Sequence, residues 1–536
     1  MWSSEVMEAP AVGVGRRGPA TGQRPRASFA ELAEALYAVR RRCPSRAVLA
    51  VAWMNPKHPI HPVQDALMEG AQPAPGIGRQ AGRAVWCVLA AGRFTITLVA
   101  MRWRVRRALA KLRGRHFDVV LKTWCFGTER RADQRDFYYG DLQRRLADRG
   151  LTAVLLCGNA SRIAWGEFDR AHVETSGLCR LPELALVPPL APALTALGQL
   201  LASVRLRWLA ARTRDALVRR VSVQASVDCL APSATEFGLY YWIARAAVRR
   251  WRPRALVTLY EGHGWEKCAW AGAKAADRDC LTVGYQHTVV FPHAISLLRP
   301  QLDHPIPAVP DVVACTGDRT RDLLGPGHAG ARARLLTLGT FRRAGGVKPG
   351  RPRPGRRTVL VVPEGYLDEE QILFEAAMRV APALPDHHFI LRCHPVLPFD
   401  RVRPLLAHAP EDLPNVEVSA VSAIEDDYAR ASVVLYRGSS SVLYAVVDGL
   451  KPIYWHHPHR HDIDPLFELT TWRERVGSPG ELAEAARRYA AAADERAAGE
   501  WRSAADYVNA YSVAVDDGAI ARFVSALGLA APAVSR

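Results

Sequence analysis

Short apolar runs alternate with segments of helical periodicity along most of the chain, most regularly after residue 357. The run at 358–365 stops at Pro-Glu-Gly, and a helical pattern at 369–384 follows it. Strands that alternate with helices are typical of a parallel sheet covered by helices on both faces. The pattern therefore predicts a doubly wound, Rossmann-like domain at 358–536. Its further strands are predicted at 387–395, 415–420, 432–438 and 451–457, and its further helices at 401–409, 423–431, 440–450 and 481–497.

The N-terminal half shows the same alternation less regularly. A Gly-, Pro- and Arg-rich stretch separates the two halves and predicts a linker at 346–357. We expect a second Rossmann-like domain with basic helical insertions at 29–345 and a disordered tail at 1–28. The predicted fold class is α/β, with two doubly wound domains facing a central cleft. Strands in this half are predicted at 46–54, 117–124, 151–159, 254–262, 280–288 and 310–317.

Polar side chains accumulate where the predicted strands end. Glu261 closes one strand of the N-terminal half, and Gln286 and His287 close the next one along the chain. Ligands of doubly wound sheets bind at the carboxyl ends of the strands, so we expect these side chains to face the cleft. The C-terminal domain offers, at corresponding positions, Glu364, Arg392, His394, Arg437, Ser439, Ser440 and Ser441.

Two of these groups suggest a specific chemistry. The segment 437–441, Arg-Gly-Ser-Ser-Ser, precedes a predicted helix, where hydroxyl and backbone N–H groups suit a phosphate. Serine is also a preferred helix cap, which is the alternative interpretation. Glu261 is a candidate general base that takes a proton from an acceptor hydroxyl. Its alternative role is to cap its own helix.

No metal and no cofactor are predicted. The tract 456–462 carries four histidines and an aspartate, but its spacing fits no standard set of metal ligands. The sequence has no Walker-type phosphate loop and no Gly-x-Gly-x-x-Gly after a strand with an acidic residue downstream. The ten cysteines form no Cys-x-x-Cys pair, which favours a reducing, cytoplasmic compartment.

The charge of the chain limits its partners. Its 536 residues carry a formal net charge of +18, and only seven of the 71 basic residues are lysine. Arginine binds phosphate well, which favours an anionic substrate, an anionic membrane surface or nucleic acid; a compositional bias is the alternative. No nucleic-acid motif occurs, so no nucleic-acid partner is expected. Predicted helices at 84–112 and 194–220 mix arginine with apolar residues and suit either a membrane surface or ordinary packing.

Four segments resemble a known family. Tyr-Glu-Gly-His-Gly-Trp-Glu-Lys (260–267), Gly-Tyr-Gln-His-Thr (284–288), Leu-Arg-Cys-His-Pro (391–395) and the segment 436–454 are similar to bacterial surface-carbohydrate (capsule and O-antigen) glycosyltransferases of GT-B fold. More distantly they resemble Kdo-transferases, polysialyltransferases and CDP-glycerol glycerophosphotransferases. The resemblance implies Glu261 as the catalytic base. We also expect His287 to be catalytic and Gly262, Trp265 and Gln286 to contact the donor or acceptor. The resemblance also implies that Arg392, His394, Ser439 and Ser440 hold the nucleotide of the donor, with CMP-sugars favoured.

These observations predict an enzyme, a glycosyltransferase that is inverting and independent of metal. Its partners would be a nucleotide-sugar donor and a surface-polysaccharide or lipid-linked acceptor, as in capsule or lipopolysaccharide synthesis. It would be cytoplasmic, or peripheral at the inner face of the membrane. The alternatives are a nucleotide-sugar epimerase, which also combines a cleft with carboxylates and a phosphate site, and a glycerophosphotransferase.

Overall fold

The computed structural model describes residues 27–55, 62–70, 76–126, 135–160, 163–329, 333–342, 350–395, 397–421, 423–458, 460–492 and 494–529. The helices are α1 Phe29–Arg42, α2 Arg46–Leu49, α3 Pro62–Glu69, α4 Ile77–Arg104, α5 Arg106–Lys111, α6 Leu142–Ala147, α7 Trp165–Ala171, α8 Ala191–Arg212, α9 Ala216–Asp228, α10 Pro232–Trp251, α11 Gly264–Ala276, α12 Ile295–Leu298, α13 Asp318–His328, α14 Leu367–Val380, α15 Phe399–Val402, α16 Ile424–Arg430, α17 Ser441–Val447, α18 Pro479–Ala490, α19 Asp494–Tyr511 and α20 Asp517–Ala526. The strands are β1 Val119–Cys125, β2 Ala153–Asn159, β3 Cys179–Pro182, β4 Ala255–Leu259, β5 Leu281–Gln286, β6 Val312–Cys315, β7 Arg334–Thr337, β8 Thr358–Pro363, β9 His388–Leu391, β10 Val416–Val418, β11 Val433–Arg437, β12 Lys451–Trp455 and β13 Glu474–Val476.

The first sheet is wholly parallel, in the order β3-β2-β1-β4-β5-β6-β7. Val119 of β1 is in register with Ala153 on one side and Ala255 on the other. Every residue of β4 is buried, as expected when helices cover both faces of a parallel sheet. Because β4 and β5 are neighbours, the residues that follow them meet at one edge.

The second sheet is also parallel, in the order β10-β9-β8-β11-β12-β13. Its middle strands, β8 and β11, are apolar runs buried along nearly their whole length. The carboxyl ends of β9, β8 and β11 are therefore side by side. Two Rossmann-like parallel sheets with helices on their faces confirm the predicted fold class, α/β of GT-B type.

One predicted strand is wrong. Residues 46–54 form helix α2 and a short 3₁₀ turn, Ala52–Met54, instead of a strand. Ser45 caps α2 by accepting the Ala47 N–H, and the Asn55 side chain donates to the carbonyl groups of Leu49 and Val51. These side chains satisfy the backbone groups locally, so this apolar run needs no partner strand. The sequence also missed β3, β7 and β13, which are short, and the predicted helix at 481–497 is divided between α18 and α19.

The chain passes between the two domains twice. The first passage includes 343–349, and these residues lie outside the described part, as do 1–26 of the predicted tail. The second passage follows α19, after which Ile520 and Phe523 of α20 pack into the core of the first domain. The structure thus places α20, which the sequence assigned to the C-terminal domain, against the first sheet. The two passages touch, because the Thr340 N–H donates to the Val513 carbonyl at 2.7 Å.

Candidate active site

The loop after β4 is held in one shape by its own helix. Gly262 has a φ of +91°, a backbone conformation that glycine adopts without strain. Glu266, in the first turn of α11, accepts the N–H groups of Glu261 and Gly262, each at 2.9 Å. Glu266 is fully buried, and that burial raises its pKa well above the ordinary value despite the two hydrogen bonds. The residue that caps α11 is His263, so Glu261 does not occupy the capping position.

Glu261 joins two histidines. Its Oε2 atom lies 3.0 Å from Nε2 of His263, and its Oε1 atom lies 3.1 Å from Nε2 of His287. The Glu261 side chain is 19% exposed, whereas that of His287 is 5% exposed. The carboxylate therefore remains accessible from the cleft, and His287 lies behind it. A carboxylate between two imidazoles can hold and pass a proton.

Tyr138 forms the wall behind His287. The two rings meet edge to face, with centroids 4.6 Å apart. The Tyr138 N–H donates to Asp136 Oδ1 at 2.9 Å, and Asp136 in turn accepts the hydroxyl of Thr123 on β1. The histidine is thus fixed by the β1 side of the sheet as well as by its own strand.

Two glycines bring the strand-end loops of the second sheet together. A Cβ atom at Gly365 would lie only 2.6 Å from Nδ1 of His394, so the loop after β8 touches the imidazole after β9. A Cβ atom at Gly438, whose φ is +76°, would lie 3.1 Å from Cβ of Glu364. Glu364, His394 and the loop after β11 therefore form one continuous edge, as the sequence predicted from strand ends.

His394 and Arg392 are tied to their own domain. The His394 N–H donates to Glu370 Oε1 at 2.8 Å, and burial raises the pKa of Glu370 to about 7. Arg392 Nη1 donates to Asp427 at 2.5 Å and to Ser419 at 3.3 Å. A fully buried aspartate thus balances part of the charge of this arginine.

The serine segment lies at the start of α17. Oγ of Ser439 lies 2.7 Å from Oγ of Ser441, and Ser440 occupies the N-cap position without a side-chain hydrogen bond to the helix. The capping alternative would require such a bond from Ser440. The hydroxyl groups of Ser439 and Ser441 thus bind each other, in the loop that adjoins Glu364 and His394.

Three predicted contacts are buried in the protein. Arg437 is fully buried, donates to Glu369 at 2.5 Å, and also binds Tyr454 Oη and the His461 carbonyl. Gln286 is fully buried as well, and its side chain donates to the Thr288 carbonyl. Trp265 is 3% exposed and packs on other rings, so these three support the loops rather than line the cleft.

Tyr366 is a buried group on which carboxylates of both domains act. This phenol follows β8 in the second domain, and burial raises its pKa. The negative charges of Glu364 and then Glu261 raise that pKa further, although Glu261 belongs to the first domain. Both carboxylates are therefore close enough to act on one buried group.

The sequence missed several residues of the site. His263 lies within a quoted motif, two residues after Glu261, and that spacing was the only available signal. Tyr138, Tyr366 and Glu370 could not be assigned a role, because their roles depend on which strands become neighbours. Two described histidines of the tract 456–462 form ion pairs: His456 with Asp462 at 3.1 Å, and His461 with Asp65 of α3.

Solved structures of similar architecture were found. The glycotransferase of kitacinnamycin is 14% identical, with a TM-score of 0.43 over 76% of this chain and 98% of that one. The glycosyltransferase SnogD from Streptomyces nogalater is 15% identical, with a TM-score of 0.38 over 77% and 100%. UDP-GlcNAc 2-epimerase from Neisseria meningitidis bound to UDP-GlcNAc is 8% identical, with a TM-score of 0.41 over 76% and 99%. No protein-family model and no curated protein matches the sequence.

Proposed function

We propose that the protein is an inverting, metal-independent glycosyltransferase that uses a nucleotide-sugar donor. The observation that carries this proposal is the Glu261 carboxylate, held between His263 and His287 at the end of the first sheet, while Glu364, His394 and the loop before Ser439 come together at the end of the second. One edge offers a base, and the other offers groups that suit a nucleotide. A single displacement needs both, on opposite sides of the bond that breaks.

In the proposed reaction, the catalytic base belongs to the first domain. Glu261 takes the proton of an acceptor hydroxyl as that oxygen attacks the anomeric carbon. The bond between this carbon and the donor phosphate breaks, and its electron pair leaves with the nucleotide. His287, behind the carboxylate, and His263, beside it, orient Glu261 and stabilise its charge before transfer.

The nucleotide belongs to the second domain in this proposal. Ser439 and Ser440 donate to its phosphate, while His394 and Arg392 supply positive or hydrogen-bonding groups nearby. Glu364 accepts a ribose hydroxyl in this proposal, as a strand-end carboxylate does in dinucleotide-binding Rossmann domains. The resemblance of the motifs favours a CMP-sugar and an acceptor of the surface-polysaccharide or lipid-linked class.

A nucleotide-sugar epimerase is the second candidate. The observation that favours it is that the charges of Glu261 and Glu364 both act on Tyr366, because two carboxylates near one group can remove and return a proton. A glycerophosphotransferase would use the same nucleotide edge with a different donor.

Ligand binding and turnover separate these candidates. The full chain is screened by thermal shift against CMP, CDP, UDP, GDP and their sugars, where ligand at about 100-fold over Kd stabilises by about 2.7 kcal/mol. The stabilising donor is then incubated with and without a lipid-linked glycan acceptor. A transferase forms product only with acceptor present. Conversion of the donor sugar without acceptor makes the protein an epimerase, and no stabilisation by any nucleotide overturns both.

An apolar surface on α4 and α8 supports a membrane-bound acceptor. The two helices pack together, with Cys87 Sγ 3.2 Å from Gln199 Oε1, and neither helix contains an aspartate or a glutamate. Their outer side, here called the apolar face, exposes Ile77, Val85, Trp86, Val88, Leu89, Ile96, Val99 and Trp103 of α4, and Leu194, Leu197, Leu201, Val204 and Trp208 of α8. An exposed apolar surface of this extent marks an interaction site.

Arginines flank the two tryptophans at the ends of this face. Arg106 lies 4.4 Å from the ring centre of Trp103, and Arg212 lies 4.1 Å from that of Trp208. Aromatic rings beside cations suit the headgroup layer of an anionic bilayer, where each basic residue contributes about 1 kcal/mol. We propose an anionic lipid bilayer as the occupant of the apolar face.

In this proposal, helix α4 lies on the surface of the bilayer and does not cross it. Among the described residues, α4 is long and apolar enough to span a membrane. Its other side, however, is buried against the protein through Cys87, Phe94, Leu98 and Met101. One apolar side is thus occupied by the core, and only the opposite side is available to lipid.

Vesicle sedimentation tests this placement. The protein should bind vesicles of equimolar phosphatidylcholine and phosphatidylglycerol at least about tenfold more tightly than vesicles of phosphatidylcholine alone. High salt should weaken this binding, because it screens the attraction between arginine and the anionic lipid. Trp103→Ser with Trp208→Ser should abolish most binding, whereas Leu405→Ser, an exposed leucine of the other domain, should not. Equal binding to both vesicle types, or none, contradicts the proposal. Binding that survives high salt and is released only by detergent indicates a spanning helix instead.

A further inference from the structure

Three sulfur and nitrogen donors converge at the carboxyl ends of β1 and β2, apart from the residues assigned to transfer. Cys125, Cys157 and His172 each offer one ligand atom, and these atoms all lie within 4.8 Å of one another. The residues are 9%, 0% and 3% exposed, respectively. Cys125 ends β1, Cys157 lies within β2, and His172 follows α7. These residues are far apart in the sequence, so no motif with the spacing of metal ligands predicts the cluster.

The strand register disfavours a disulfide between the two thiols. Cys157 is in register with Thr123, so Cys125 lies two residues further along the neighbouring strand. With about 3.3 Å per residue and about 4.8 Å between strands, the two Cα atoms are about 8 Å apart. A disulfide requires Cα atoms within about 7 Å of each other. The side chains of Cys125 and Cys157 nevertheless point to the same face of the sheet.

We propose that Cys125, Cys157 and His172 bind a zinc ion. Thiolate and imidazole are the donors that zinc prefers, and two sulfurs with one nitrogen form a known kind of three-residue ligand set. Asn159, in register with Cys125, lies on the same face of the sheet. Its buried Oδ1 atom accepts no hydrogen bond within the described part of the chain. This oxygen completes the tetrahedron, so that the protein fills all four positions, as in structural zinc sites.

The proposed ion has a structural task. It joins the end of α7 to β1 and β2, and β1 is the neighbour of β4, after which Glu261 begins. Zinc there would fix the side of the sheet that supports the Glu261 loop. The sugar transfer proposed above needs no metal, so the two proposals can fail separately.

Metal binding to the full chain tests this site directly. The protein is purified under reducing conditions, stripped with a chelator, and titrated with Co²⁺ as a spectroscopic probe. We expect one equivalent to bind, with thiolate-to-cobalt charge-transfer bands and the visible bands of tetrahedral cobalt, and zinc should displace it. Absence of these bands overturns the proposal. A Cys125–Cys157 disulfide in peptide maps of the purified protein would also overturn it.

Matched variants assign the ligands. Cys157→Ser and His172→Gln should each weaken zinc binding by at least about tenfold, because loss of a ligand costs more than loss of its supporting contacts. Cys315→Ser, at a fully buried cysteine on β6 of the same sheet, is the control and should bind zinc like the parent. Equal weakening in the control would assign the cobalt signal to unspecific thiols and reject the site. If a ligand variant does not fold, the titration of the unaltered chain still decides.

Discussion

Oε1 of Glu261 lies 3.1 Å from Nε2 of His287, and the two residues come from the ends of neighbouring strands. The contact exists because β4 and β5 are parallel partners whose carboxyl ends coincide. It leaves the carboxylate at the cleft and the imidazole behind it. The order of the two groups, carboxylate outward and histidine inward, makes Glu261 the group that an acceptor would meet.

Replacing Glu261 by glutamine should slow turnover with little effect on nucleotide affinity. The amide keeps the shape but cannot take a proton, so kcat should fall by about 10²–10⁴-fold. Nucleotide contacts lie on the other domain in our proposal, so Kd should be unchanged. Glu484→Gln, at an exposed position on α18, controls for loss of a carboxylate. A near-normal kcat with a large loss of thermal stability would reject Glu261 as the base.

Replacing Gly262 by alanine should disturb the loop that carries Glu261. The new Cβ atom would lie 2.6 Å from Cβ of Ser296, and the φ of +91° is unfavourable for alanine by about 1–2 kcal/mol. We expect lower stability and lower kcat together, measured by denaturant unfolding and by initial rates. Gly480→Ala, in α18 with no heavy atom within 4 Å of the new Cβ, should be neutral or stabilising. If both variants behave alike, neither the φ of Gly262 nor its closeness to Ser296 restricts which residue can stand there.

Removing the hydroxyls of Ser439 and Ser440 should weaken nucleotide binding while the fold persists. Each lost hydrogen bond to a charged phosphate costs about 1.5–3 kcal/mol, measured by calorimetric titration of the double alanine variant. Ser478→Ala is the control, since Ser478 caps α18 by accepting the Glu481 N–H. It should cost stability of about 1 kcal/mol and leave affinity intact. Unchanged affinity in the double variant would return Ser439 and Ser440 to a purely structural role.

Glu370 should make stability depend on pH. Its pKa of about 7 in the folded protein lies above the ordinary 4.5. Between these two pH values the folded state keeps a proton on Glu370 that the unfolded state releases. The stabilisation is present below pH 4.5 and is lost as the pH rises through 7. Glu370→Gln does not titrate, so the melting temperatures of variant and parent should converge below pH 4.5 and diverge by pH 8. The variant should then be more stable by about 1–2 kcal/mol, after allowance for solvent screening.

Glu375→Gln, on the same helix, is the control for that pH dependence. Its melting temperature should follow the parent across the same pH range. A parent whose stability rises between pH 5 and 8 relative to Glu370→Gln would show that the Glu370 carboxyl is ionised when folded.

The sequence predicted the central strands because burial on both faces leaves a continuous apolar run, as in β8 and β11. The same signal failed at 46–54, where Ser45 and Asn55 satisfy the backbone and an equally apolar run forms helix and turn. The missed strand β3 contains Arg180 and ends with Pro182, which no apolar pattern distinguishes from a loop.

The site was predictable as far as topology decides it. Strand ends of a parallel sheet converge, which is why Glu261 and His287 could be paired from the sequence. Whether a charged side chain at a strand end faces the cleft or the core could not be predicted. Arg437 points into the core because Glu369, on α14, is a buried partner for its charge. The sequence around Arg437 does not predict that α14 will pack there.

The hydrogen bond from Thr340 to Val513 has a mechanical consequence. It fastens the two connections between the domains to each other, and β-type pairing of Thr340 with Ala514 continues it. Two connections fastened side by side cannot move apart at this point while that pairing holds, so a displacement of one connection is passed directly to the other.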